Sequence, residues 1–401
     1  MLLMSCARFA YVEVRRGYKS LKQPYVRVRI MVADELAVGC KGPFDIFCEH
    51  AAGGSTDYFS NSDIVVRCKG SLLSAEDVEG LPLENDLVRI VVVPRDYKHR
   101  VLIDGKGFRG VADLMVESGQ ISVINAVNME DYLKGVLPPE IGKHGEPELE
   151  ALKAQAVASR TYALSRLRVN PAKSYDMVND VADQIYTGVS KEDKWINRAV
   201  ERTRGEVLYS EGGLITAYYH STCGGATDNI EDIWDKHARS YLKGVADSDF
   251  CQWSKFYNWS FTWTPKELEE SVLRHLRSTG RYSGTSIGIK DIRIVDRLKS
   301  GRVRVIEIVT DQGKFLVIKD KIRWALRRPD VEDAILPSTN FYLTIDRDES
   351  GNITSITAKG YGNGHGVGMC QCGALGRSRA GQKYDQILSV YYRDAQLVKL
   401  Y

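Results

Sequence analysis

Along the first hundred residues apolar and polar positions alternate with the period of a pleated strand. The clearest runs are Val26-Arg27-Val28-Arg29-Ile30, Ile64-Val65-Val66 and Leu87-Val88-Arg89-Ile90-Val91-Val92-Val93, parted by Gly, Asn and Asp turns. This predicts a β-rich N-terminal region over residues 1–105. Residues 121–127 read as a further strand, and 129–135 as a short helix leading into a turn at Leu137-Pro138-Pro139-Glu140. Beyond it Leu149, Leu152, Ala156, Ser159, Ala163 and Leu167 recur at three- and four-residue spacing, the pattern of an α-helix with one buried face. Pro147 suits its first turn, Glu146, Glu148 and Glu150 its positive pole, and Arg166 and Arg168 its negative pole. A loop over 170–179, a helical stretch over 191–203 and strands at 206–208 and 214–220 make the segment 106–258 mixed α and β.

Near Trp263 the pattern changes. A helix capped by Thr264-Pro265-Lys266-Glu267, alternating strands at 292–295, 303–309 and 315–318, and a helix at 319–327 predict a small inserted α+β domain over 259–337. The strand-rich stretch 341–356 then returns the chain to the C-terminal part of the core, 338–401. The expected fold class is α+β: a β-rich N-terminal part and a mixed α/β core interrupted by the insertion. No internal repeat or low-complexity tract is present.

With 401 residues, 43% of them hydrophobic, the chain can bury two or three ordinary cores. Its 55 basic and 52 acidic residues are interspersed, so charge gives no footprint for nucleic acid. No segment approaches the roughly 20 apolar residues of a membrane span. The start MLLMSCARFA is too short for a complete signal peptide; Leu3-Met4-Ser5-Cys6 resembles the end of a lipoprotein signal, the alternative being an ordinary disordered terminus. Eight cysteines are too sparse for a disulfide-built scaffold and none forms C-x-x-C. Cys370 and Cys372 stand too close for an unstrained mutual bridge, so buried thiols are the default.

Three stretches carry candidate chemistry. Glu140, set among Leu137, Pro138, Pro139 and Ile141, is a lone carboxylate on stiff backbone in apolar surroundings, which raises its pKa. Ala217-Tyr218-Tyr219-His220-Ser221-Thr222-Cys223-Gly224-Gly225 is a strand ending in polar side chains. Adjacent His and Ser point to opposite faces and no G-x-S-x-G is present, which argues against a serine hydrolase. Residues 362–374, GNGHGVGMCQCGA, place glycine at alternate positions but fail the dinucleotide spacing. A metal hydrolase would need His220, Cys223, His237 and His365 to converge without any H-E-x-x-H spacing, so the expectation is no metal and no cofactor.

Taken together, residues 128–140 with 151–163, then Tyr219-His220-Ser221-Thr222-Cys223-Gly224-Gly225, then Gly364-His365-Gly366-Val367-Gly368-Met369, resemble the stage II sporulation protein D family, which includes proteins called amidase enhancers. The likeness runs in order from about Phe108 to Tyr401 and more weakly back to Val26. It implies a lytic transglycosylase that cuts peptidoglycan glycan strands, preferring denuded ones, with Glu140 as the single general acid and base. Gln155, Arg160, Tyr219, His220, Ser221 and His365 are the substrate-binding residues it implies. It further implies an extracytoplasmic protein with a cell-wall amidase as partner, lipid-anchored where Leu3-Met4-Ser5-Cys6 is the end of a lipoprotein signal. The competing reading is a non-catalytic glycan-binding module that activates such an amidase.

Three departures accompany the likeness. The loop in which some relatives bind zinc reads Val181-Ala182-Asp183-Gln184-Ile185-Tyr186, without thiols, so no zinc is expected there. The serine and tryptophan that often follow the glycine-rich motif are replaced by Cys370 and Cys372, and Gly142-Lys143-His144-Gly145 lengthens the stretch after Glu140. Two further expectations follow from chain course: Cys223 and Cys251 lie near each other, and residues 259–337 form a separable unit without catalytic groups.

Overall fold

The near-continuous apolar run Ile121–Val127 belongs where both faces of a strand are covered, and that is where it lies. In the computed structural model, which describes residues 23–167, 169, 172–180 and 183–401, strand Gln120–Asn128 is buried along almost its whole length. It pairs antiparallel with Tyr25–Ala33 on one side and Val111–Glu117 on the other. Val111–Glu117 pairs in turn with Pro82–Pro94, and the sheet continues through the remaining N-terminal strands. All four strands expected before residue 128 are present. The lipoprotein-like start, Arg168, Asn170, Val181 and Ala182 lie outside the described residues.

The chain divides into two compact units, Met1–Val207 with Leu397–Tyr401, and Leu208–Gln396. Among the described residues the first contains the large sheet and the α-helices Met129–Ile141, Leu149–Arg166 and Lys194–Arg202. Leu149–Arg166 buries every residue from Ala151 to Leu164 except Lys153, so it is enclosed on all sides rather than along the single stripe its periodicity suggested. Its small alanines allow close approach of neighbours from any direction. Lys194–Arg202 starts on Asp193, whose carboxylate accepts the N–H groups of Trp195 and Ile196 at 2.8 and 3.3 Å.

In the second unit, helix Pro265–Ser278 opens with the expected box: Thr264 Oγ1 accepts the Glu267 N–H, and Glu267 accepts the Thr264 N–H at 2.8 Å. It packs with strands Ile289–Arg297, Val303–Thr310 and Gly313–Ile318, all close to expectation. The helix expected over 319–327 is one tight turn and one α-turn, Ile322–Ala325. The domain boundary expected at 337 falls inside a hydrophobic core. Trp263, Leu268, Val272 and Ile306 share that core with Phe341, Ile356 and Ala358, because Asn258–Trp263 pairs with Ile353–Tyr361, which pairs with Phe341–Arg347. Residues on either side of 337, from Trp263 to Ala358, therefore share one core.

Candidate functional site

Glu140 is not in a turn ahead of a helix: it occupies the last turn of Met129–Ile141, which continues through Pro138 and Pro139. A proline inside a helix costs about 3 kcal/mol or more, because it lacks an N–H and leaves the carbonyl four residues back without a donor. For Pro139 that carbonyl belongs to Gly135, and Thr187 supplies it with two replacement donors, its backbone N–H at 3.2 Å and its hydroxyl at 3.1 Å. The replacement donors draw the segment 185–187 across the helix. One consequence is that the Ile185 N–H donates to Glu140 Oε1 at 2.9 Å. Tyr186 anchors the same segment, with its hydroxyl on Asn125 Oδ1 at 2.9 Å and its ring 5.1 Å from that of Tyr132.

Burial lifts the Glu140 carboxyl from its ordinary 4.5 to about 7, outweighing the Ile185 hydrogen bond, which favours the anion. Its place at the negative end of a helix acts in the same direction. The side chain is still partly open to solvent. A carboxyl that is protonated in good part near neutrality, held by one N–H and reachable from outside, can donate a proton and take one back.

Arg160 does not face a ligand. It is fully buried, and its guanidinium forms a two-pronged pair with Glu130 at 2.9 and 2.7 Å and donates to the carbonyls of Glu206 and Val200. The binding role expected for it is corrected: the group is a structural tie. Glu130 is buried and also accepts the Gly205 N–H and the Tyr401 hydroxyl. Gln155 is likewise fully buried and donates to Ser159 Oγ at 3.0 Å, which removes it from reach of a glycan.

The second unit assembles the other two motifs. Tyr219–His220 pairs in parallel with Met369–Cys370, setting the polar strand end beside the glycine-rich segment. His220 and His365 meet at a tilt of 56° with ring centroids 5.3 Å apart, and His365 lies 4.7 Å from Trp234, which lies 5.0 Å from Tyr218. His220 places Nδ1 3.2 Å from the Val367 carbonyl and leaves its buried Nε2 without a partner among the described residues. His365 Nδ1 accepts the Val367 N–H at 3.1 Å. Burial, aided by neighbouring positive charge from Arg302 and Arg323, holds His365 down at about 3 and His220 well below its ordinary value, so both rings are neutral at physiological pH. Ser221 is half-buried, its hydroxyl 3.2 Å from that of Thr222, and Tyr219 is half-buried beside it. His237 is exposed and takes no part.

The alternate glycines have a structural reason. Gly364 and Gly366 hold φ of 115° and 84°, and a Cβ at Gly366 would come within 2.5 Å of Arg302 Nε. Arg302, from the inserted module, is buried there, bonded to the Cys223 and Gly364 carbonyls and paired with Asp228 at 3.0 Å.

The profile of the stage II sporulation protein family matches residues 117–209, and that of a domain of unknown function matches 248–368. Across 95% of both chains the sequence is 31% identical to an uncharacterized protein of Brachyspira hyodysenteriae. It is 28% identical to stage II sporulation protein D of Bacillus subtilis, over 68% of this chain and 75% of that one. It is 29% identical to the amidase enhancer of the same organism over 75% of this chain, spanning 46% of that protein's length. The chain belongs to the stage II sporulation protein D and amidase-enhancer family. Within the family-matched stretch lie Glu140 and the helix that carries it; the histidine cluster falls outside it.

Two features of this family member escaped sequence reasoning. Thr187 becomes important only because of the proline pair it compensates, and an unpaired Gly135 carbonyl was the signal that could have led to it. Trp234 supplies an aromatic face beside His365, although the tryptophan usual after the glycine-rich motif is absent; its distance in sequence from that motif hid it.

Proposed function

We propose that this protein is an extracytoplasmic lytic transglycosylase acting on the glycan strands of peptidoglycan, with Glu140 as its only catalytic carboxyl. The observation that carries this reading is the Glu140 carboxyl, raised to about 7 by burial at a helix end and held by a single N–H. Ordinary glycosidases divide the work between two carboxylates, one for the leaving group and one for a nucleophile or water. Here the protonated Glu140 delivers its proton to the oxygen joining N-acetylmuramic acid to N-acetylglucosamine, and the C1–O bond breaks. The 6-hydroxyl of the same muramic residue closes on the oxocarbenium-like C1, and the Glu140 carboxylate takes its proton. A 1,6-anhydro end forms, and Glu140 is returned protonated. With a value of about 7, about half of the molecules start in the competent state at neutral pH.

His365 and Trp234, both half-buried, present a neutral imidazole and an aromatic face that suit hydrogen bonding and stacking to sugar, whereas the buried His220 holds the strand end in place. The second reading is a non-catalytic glycan-binding activator of a cell-wall amidase, favoured by the likeness to a protein named amidase enhancer. Incubation with denuded glycan followed by mass spectrometry of the fragments separates the two. Anhydro ends support the transglycosylase, reducing ends indicate hydrolysis, and bound but uncut glycan with a stimulated amidase supports the activator.

A further inference from the structure

Cys223, Cys251, Cys370 and Asp247 come from three separate stretches of the second unit, yet their ligand atoms all lie within 4.8 Å of one another, and all four residues are completely buried. Cys223 Sγ is 3.5 Å from Cys251 Sγ and 3.3 Å from Asp247 Oδ2. Around a tetrahedral zinc ion, with Zn–S near 2.3 Å, neighbouring sulfurs stand about 3.7 Å apart, so the spacing is that of ligands sharing one centre.

We propose that Cys223, Cys251, Cys370 and Asp247 form a closed, structural site for one thiophilic divalent cation of the zinc class. The surroundings are built for anionic ligands. Cys370 Sγ accepts the Cys223 and Gly373 N–H groups, each at 3.2 Å, and caps the N-terminus of helix Gln371–Arg379. Cys251 Sγ accepts the N–H groups of Gly224 and Gly225. Asp247 is oriented through one oxygen only: Oδ1 takes Arg377 Nε and Nη2 at 3.1 and 2.9 Å and the Tyr391 hydroxyl at 2.6 Å, which turns Oδ2 toward the sulfurs. Such outer partners fix ligand direction and offset ligand charge. Gly373 makes room, since a Cβ there would fall 2.0 Å from Asp247 Oδ2.

Binding replaces each remaining thiol proton by a bond to the cation and releases it to solvent, so affinity rises with pH. With four protein ligands and no open position, the ion does no chemistry. It ties the end of strand Tyr219–His220 and the turn Ser248–Cys251 to the start of helix Gln371–Arg379, and so holds His220 and His365 in register. The set differs from the one considered on sequence grounds: only Cys223 is shared.

The test uses the full chain, purified in reducing buffer without chelators. Elemental analysis is expected to find about one zinc per chain. Exchange for cobalt is expected to give an intense sulfur-to-cobalt charge-transfer band with the visible bands of a tetrahedral centre. Cys251→Ser and Cys370→Ser should lose that band, whereas Cys68→Ser and Cys372→Ser should keep it. Should the first pair fail to fold, zinc added back to chelator-treated wild type must slow alkylation of Cys223, Cys251 and Cys370 at least tenfold. A folded chain whose free thiols take up neither metal, a cobalt spectrum without the charge-transfer band, or a Cys223–Cys251 disulfide in the chain as isolated overturns the proposal.

Discussion

Replacing Glu140 by Gln should make the protein more stable and, at the same time, inactive. The carboxyl ionises near 7 in the folded chain and near 4.5 when unfolded. Below 4.5 it is protonated in both states and contributes no difference. Between 4.5 and 7 the unfolded chain loses the proton while the folded one keeps it, so stability falls as pH rises. Above 7 both states are ionised and the fold carries the whole cost of a desolvated anion. That span corresponds to at most about 3 kcal/mol, and solvent reaching the partly exposed carboxyl reduces it to about 1–2 kcal/mol. Gln retains an oxygen for the Ile185 N–H and has no charge to desolvate. Its stability should therefore match wild type at pH 4.5 and exceed it by about 1–2 kcal/mol above pH 7, a few degrees in Tm. Paired thermal and urea melts across that pH range measure the difference, and release of anhydro ends from denuded glycan, assayed on the same preparations, should fall by about 10²–10⁴ or more. A Tm difference that does not change with pH would show that Glu140 is not desolvated as described. Near wild-type release by the variant would refute the single-carboxyl mechanism.

Three further outcomes are expected. The pH profile of kcat/KM should have only an alkaline limb, falling tenfold per pH unit above about 7, because the reaction must begin with Glu140 protonated; an acid limb at the pKa of a second carboxylate would contradict this. Arg160→Met leaves the buried Glu130 without its ion-pair partner and should cost about 3–5 kcal/mol in denaturant melts, while the alkaline limb of the folded fraction stays where it was. Deleting residues 259–337 should give misfolded protein, judged by near-UV dichroism and gel filtration. The cut separates Trp263 and Leu268 from Phe341 and Ile356 and removes Arg302 from beneath the glycine-rich motif; a well-folded deletion would show that the module is separable after all.

What could be read from the sequence alone was whatever depends on near neighbours. Alternation located the strands at 26–30, 64–66, 87–93 and 121–127. Three- and four-residue spacing located the long helix, Thr264 and Glu267 located a cap, and the apolar company of Glu140 pointed to a raised pKa. Each of these signals acts over a few residues, where side-chain direction follows from the backbone period. The nearness of Cys223 to Cys251 was also legible, because the chain must fold back beside the strand that ends at Cys223 before it enters the next block of strands and helix. Tertiary structure alone decided where long-range partners meet. A proline pair reads as a helix stop until Thr187, more than forty residues on, satisfies the Gly135 carbonyl and lets the helix carry Glu140 to its end. Arg160 reads as a free cation until Glu130 is found against it, and the inserted module looks separable until Arg302 is found bonded to Cys223. Cys370 joins Cys223 and Cys251 only after the chain has passed through that whole module, so no spacing rule reaches it. A buried polar group must find a partner somewhere, but its own sequence neighbourhood does not say where.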